Sequence, residues 1–210
     1  MQRPGRIKTE ADLREGAAVL VTRDARFGPI LQAVGPLPLR QRPDGFGALA
    51  AAIVGQQVST AAAAAILGRL EAAGLTEEAA LAVAPDEALR ACGLSRPKMR
   101  YLRALAEARL DYDALREVST EAVVATLTAQ PGIGRWTAEI YAKFALGHAD
   151  VFAAGDLALQ VAAERAFALP ERPSERALRD MAEAWSPVRA VAARALWAYY
   201  GLDRKGEGMP

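Results

Sequence analysis

The chain has one cysteine among its 210 residues, Cys92. A single thiol excludes an internal disulfide, a cysteine-based zinc site and a cysteine-ligated iron–sulfur cluster. Its expected place is the core. Net charge is nearly absent as well. There are 26 basic and 25 acidic side chains, for +1. A nucleic-acid role cannot rest on that total and must rest on local charge. Lysine is scarce, since 22 of the 26 basic residues are arginine. Arginine can grip phosphate in a bidentate fork, although an Ala- and Arg-rich chain also reflects base composition. The first residues, MQRPGRIKTEADLREG, lack the apolar centre of a signal peptide, and no apolar run reaches membrane-spanning length. A soluble, cytoplasmic protein is expected. The only histidine, His148, follows a glycine at a helix end and is assigned no chemistry.

Helix formers are abundant. Hydrophobic residues make up 52% of the chain, enough to build a core. Residues 46–54 and 59–73 read as two helices broken at GQQV, with Ser59 or Thr60 as N-cap. Shorter helices are predicted at 77–83 and at 86–91, after Pro85. In 97–109 the apolar residues Met99, Leu102, Leu105 and Ala106 recur at helical spacing. Further helices are predicted at 120–129 after Ser119, at 135–147, at 157–168, at 175–185 after Ser174, and from Pro187 to about Tyr200, with Gly201 as terminator. No β alternation is sustained after residue 45. The first 40 residues, with VLVTRDARFGPIL, are compatible with irregular or strand-like structure. The whole reads as one all-α domain of roughly ten helices.

One short stretch stands out. Residues 130–136 read QPGIGRW, between two helical segments. Pro131 cannot continue the preceding helix. Gly132 and Gly134 permit unusual backbone angles and close approach, and Ile133 can tuck between the helices. The next helix begins with unpaired N–H groups at the positive end of its dipole, a ready site for a phosphate oxygen. A plain helical hairpin that needs glycine to turn is the alternative. Residues 95–103, SRPKMRYLR, carry four basic side chains and no acid. They suit a DNA strand or a solvated helix face equally well.

PGIGRWTAE is similar to the helix–hairpin–helix of base-excision DNA glycosylases. Three other segments carry the resemblance in the family's order. IVGQQVS at 53–59 looks like its wedge-and-pocket segment, GD at 155–156 stands at the place of its key aspartate, and WSPVRAVAARALW at 185–197 resembles its closing helix. The branch it resembles most is 3-methyladenine DNA glycosylase II, over about residues 46–200. The resemblance implies an all-α fold of two helical lobes with a DNA-binding cleft between them. One lobe would be about 46–148 and the other about 1–45 plus 149–210. With some 45 residues before Phe46, the N-terminal β-domain of some relatives is not expected.

The resemblance also implies roles. Asp156 becomes the catalytic carboxylate. By position alone it is a helix N-cap, and the two roles are compatible, because a helix start suits a negative charge. A fixed carboxylate stabilises the oxocarbenium ion formed as a base leaves, and it can activate water. Gln57 would be the wedge that fills the gap left by a flipped nucleotide. Gln56 beside it would line the base pocket or support the site, although both glutamines could instead satisfy loop backbone groups. Gly132, Ile133, Gly134 and Thr137 would meet DNA. The carbonyls of Thr128, Gln130 and Ile133 would hold a monovalent cation, Na+ or K+. Family members that also cut the backbone carry lysine where this chain has Trp136, and Lys143 lies two turns further along, a poor substitute. A monofunctional enzyme for alkylated bases follows, acting as a monomer on damaged double-stranded DNA. Two pocket positions that are aromatic in the family pattern are Leu157 and Val188 here. Trp136 and Trp185 stand as pocket candidates whose alternative is the core. Arg189 would contact DNA, brace Asp156 or form a surface ion pair. A helix–hairpin–helix protein that binds DNA without catalysis is the other reading.

Overall fold

The computed structural model describes residues 5–206, all in helices and their connections apart from an isolated bridge between Arg6 and His148. In chain order the helices are α1 (Glu10–Arg23), α2 (Phe27–Val34), α3 (Phe46–Gly55), α4 (Thr60–Ala72), α5 (Glu78–Val83), α6 (Asp86–Ala91), α7 (Arg96–Ala108), α8 (Tyr112–Glu117), α9 (Thr120–Thr128), α10 (Arg135–Phe144), α11 (Leu157–Ala166), α12 (Glu175–Ala182) and α13 (Arg189–Gly206). A 3-10 turn at Glu183–Trp185 follows α12. None of the described helices is long and apolar enough to cross a membrane.

Local chemistry sets most of the starts. Ser59, Ser119 and Ser174 each accept a backbone N–H three residues on, as Asp111 does before α8. The first 40 residues differ from expectation. Thr9 and Asp12 form a reciprocal capping box, and Leu13, Gly16 and Leu20 then line one buried face, so VLVTR is the end of a helix rather than a strand. Residues 5–7 carry the isolated bridge. They pair with the turn after α10, where Ile7 N–H donates to the Gly147 carbonyl at 2.7 Å and Ala149 N–H to Gly5 at 2.9 Å. That pairing accounts for α10 stopping at Phe144 rather than 147. Gly147 has φ +74°, and a Cβ there would lie 2.8 Å from the Ile7 carbonyl. At the other end α13 continues through Gly201, because a glycine terminates a helix only where the backbone turns left-handed.

The chain divides into two compact units, Arg42–Tyr141 and the remainder, Met1–Gln41 with Ala142–Pro210. In the second unit Trp185 is fully buried against Phe27 and Phe152 edge-on, with Phe167 beside it. Each aromatic pair adds about 1 kcal/mol beyond burial. The indole N–H, which would be costly unpaired, donates to Asp24 Oδ2 at 3.0 Å. Helix α1 comes close to α13 at Gly16, where a Cβ would lie 2.7 Å from a Val191 methyl. In the unit 42–141, Leu49, Ile53, Leu102, Leu105 and Leu127 are buried, as is Cys92. Arg116 ties the segment before α3 to α8 through Asp44 at 2.5 Å.

Candidate nucleic-acid interface and carboxylate site

The hairpin is built by α9, the turn 129–134 and α10. Val123, Val124 and Leu127 on one side and Ala138 and Tyr141 on the other are buried, and Ile133 is buried in the turn. Ile133 N–H donates to the Gln130 carbonyl at 3.1 Å, so this amide is used by the turn itself. The two glycines have different jobs. Gly132 has φ +84°, and a Cβ would lie 2.4 Å from the ring of Tyr101. Its missing side chain is a packing requirement inside the protein. Gly134 has no positive φ, and a Cβ there would meet nothing within 4 Å. Only at Gly134 does the backbone lie open from outside. The first helical carbonyl bond of α10 is Ala138 N–H to Gly134 at 3.1 Å, so the N–H groups of the turn before it have no intrahelical acceptor. Thr137, expected at the DNA, is buried.

Trp136, a pocket candidate whose alternative was the core, is outside the core. It is 47% exposed at the start of α10, with Arg135 beside it in an ion pair to the buried Glu139 at 2.9 Å. At the break after α3, Gln57 is exposed and has φ +56°, a left-handed conformation that costs a non-glycine residue about 1 kcal/mol. Gln56 donates its side-chain amide to the Gly132 carbonyl at 2.8 Å. The basic stretch is half committed to the fold. Lys98 donates to the Val54 carbonyl at 2.7 Å, and Arg103 holds the Ala84 carbonyl and Asp86. Arg96 and Arg100 remain exposed.

In the other unit Asp156 is the N-cap of α11. Its Oδ1 accepts from Leu159 N–H at 3.2 Å and from the indole Nε1–H of Trp197 at 3.1 Å. Trp197, half-buried on α13, stacks on Phe144 with centroids 5.7 Å apart. On its face lies Lys143, with Nζ 4.0 Å from the ring centroid. Lys143 is buried, and its amine has no hydrogen-bond partner among the described residues. Burial, and then the nearby Arg194 charge, push this amine well below the usual lysine range, while Asp156 acts against the shift. Arg194 is itself lowered, to about 10, by burial.

The pocket candidates separate. Leu157, next to the carboxylate, is 58% exposed and free to meet a ligand. Val188 is buried with a methyl toward Gly16 of α1, so it faces protein. Trp185 is corrected from pocket to core, where three phenylalanines and Asp24 enclose it. Arg189 pairs with Asp150 at 2.6 Å and Glu183 at 2.7 Å, the ion-pair reading among the three weighed for it. The sequence reading passed over Trp197. Its signal was a tryptophan on an otherwise apolar helix face, whose N–H needs an acceptor. Among the described residues no cluster of three His, Cys, Asp or Glu side chains could hold a metal ion.

A family model for the HhH-GPD superfamily base excision DNA repair protein matches residues 50–187. The chain is 26% identical to the alkylbase DNA glycosidase-like protein mag2 of Schizosaccharomyces pombe, over 94% of this chain and 99% of that protein. Its fold is similar to the crystal structure of DNA-3-methyladenine glycosidase from Bacillus halodurans, with a TM-score of 0.84 and 33% identity over 97% of this chain and 95% of that one. It is also similar to the Schizosaccharomyces pombe 3-methyladenine DNA glycosylase Mag1 in complex with abasic DNA, with a TM-score of 0.73 and 28% identity over 87% and 95% of the two chains.

Proposed function

The chain belongs to the HhH-GPD superfamily of base excision DNA repair proteins, and from that premise we propose that it is a monofunctional DNA glycosylase that releases alkylated purines. The observation that carries this reading is Asp156, a carboxylate held at a helix N-terminus by Leu159 N–H and by Trp197. Both donors fix Oδ1 before any substrate arrives. Such preorganisation is what a developing sugar cation requires, since the negative charge need not reorient as the base departs. The same carboxylate can then accept a proton from the attacking water. An alkylated purine carries positive charge already and leaves readily, so little acid catalysis is needed. The open backbone at Gly134 supports phosphate contact, and the exposed Gln57 supports a wedge that replaces the flipped nucleotide.

The absence of strand cleavage follows from two positions. Trp136 supplies no amine, and the amine of Lys143 is buried against Trp197. A monovalent cation fits the hairpin by donor chemistry. Thr128 ends α9, where carbonyls lack helical partners, and the Gln130 carbonyl has one lone pair left after Ile133 N–H. Such a cation would supply positive charge beside a bound phosphate. The protein is proposed to act as a monomer. The direct test is incubation with methylated duplex DNA. Free methylated purine should appear, and strands should break only after hot alkali. Strand breaks without alkali would rule out a monofunctional enzyme, and no released base would favour a protein that only binds DNA.

A further inference from the structure

We propose that Lys98 and Gln56 are positioning residues that lock the wedge to the phosphate-binding hairpin, so that gripping the DNA backbone sets Gln57 for flipping. The proposal rests on the glycosylase reading and adds how two of its parts are joined.

Gln57 sits in a left-handed conformation without being glycine, so something beyond its own backbone preference must hold it there. Two hydrogen bonds hold the residues just before it. In one, Lys98 Nζ donates to the Val54 carbonyl at 2.7 Å, one of the orphan carbonyls at the end of α3. In the other, Gln56 Nε2 donates to the Gly132 carbonyl at 2.8 Å. The hairpin is held from the same helix that supplies Lys98. Tyr101, one turn along α7, packs its ring against Gly132 so closely that a Cβ would lie 2.4 Å away. Lys98 and Tyr101 therefore fix the wedge loop and the hairpin from one rigid helix, and Gln56 closes the triangle between them. Lys98 does more than add a charge to a basic stretch, because its ammonium donates to a carbonyl at the end of α3, just before the wedge. Arg96 and Arg100 are the exposed members.

The test uses the full chain, with Lys98→Met, Gln56→Met and Lys98→Arg. Three quantities are read. They are the single-turnover rate of base release at saturating enzyme, the rise in fluorescence of a 2-aminopurine placed beside the target base, and affinity for duplex DNA carrying a tetrahydrofuran abasic analogue. Each Met variant should lower the rate and the fluorescence rise about tenfold, with abasic-DNA affinity and melting temperature unchanged. Lys98→Arg, which keeps a charged donor, should recover most of both signals. Unchanged rate and fluorescence in the Met variants would overturn the proposal. So would parallel losses in rate, affinity and melting temperature, since that pattern marks Lys98 as a helix cap and nothing more. If the wild type releases no base, the glycosylase reading fails separately, and the fluorescence rise still decides whether these residues position Gln57.

Discussion

The indole N–H of Trp197 donates to Oδ1 of Asp156 at 3.1 Å, joining the middle of α13 to the N-cap of α11. A hydrogen bond to a charged group is worth about 1.5–3 kcal/mol. Trp197→Phe keeps a ring for Phe144 and Lys143 to pack on and removes only the donor. Base release should fall at least tenfold, with DNA affinity unchanged, when single-turnover rates and binding are compared.

Lys143 is a stability liability. Its buried amine is held below the value it has in the unfolded chain, chiefly by desolvation. Between the folded and unfolded values the unfolded chain binds more protons, so stability rises with pH across that window. Lys143→Met fills similar volume without a charge. It should be more stable than wild type at pH 7, and urea denaturation between pH 6 and 10 should show a shallower rise with pH.

Asp24 works in the opposite sense. Its hydrogen bonds with Arg26 and, after the cost of burial, with Trp185 hold its carboxyl at about 2. A depressed carboxylate stabilises the fold above its unfolded value near 3.8, and that stability is lost as pH falls toward 2. Asp24→Asn should cost about 2 kcal/mol at pH 7. Denaturation curves of the two proteins should converge as pH drops from 4 to 2.

The glycines of the hairpin should respond differently to the same change. Gly132→Ala forces a Cβ toward Tyr101 at φ +84° and should cost stability. Gly134→Ala meets no protein atom, so melting should be unchanged while DNA affinity falls, measured side by side by thermal melting and fluorescence anisotropy.

The hairpin, Asp156 at a helix start and most helix caps were legible in the sequence, because each depends on a few adjacent residues. Ser59, Ser119 and Ser174 act within three positions of themselves. What escaped depends on distant partners. Trp197 and Trp185 are both tryptophans near an acid, yet one donates to Asp156, 41 positions away, and the other to Asp24, 161 positions away. Nothing local tells them apart. The division of labour between Gly132 and Gly134 likewise needs Tyr101, which lies on another helix. The helical N-terminus was missed because the VLV run resembles a strand, while its capping box at Thr9 and Asp12 lies several residues upstream.

The most direct measurement is single-turnover base release from methylated duplex DNA by wild type and Asp156→Asn, alongside their affinities for abasic-analogue DNA. Asparagine keeps the N-cap acceptor and the shape but removes the charge. A loss of base release by at least a hundredfold with affinity nearly intact is the expected result. Release by Asp156→Asn at close to the wild-type rate would contradict the assignment of the Asp156 charge to catalysis.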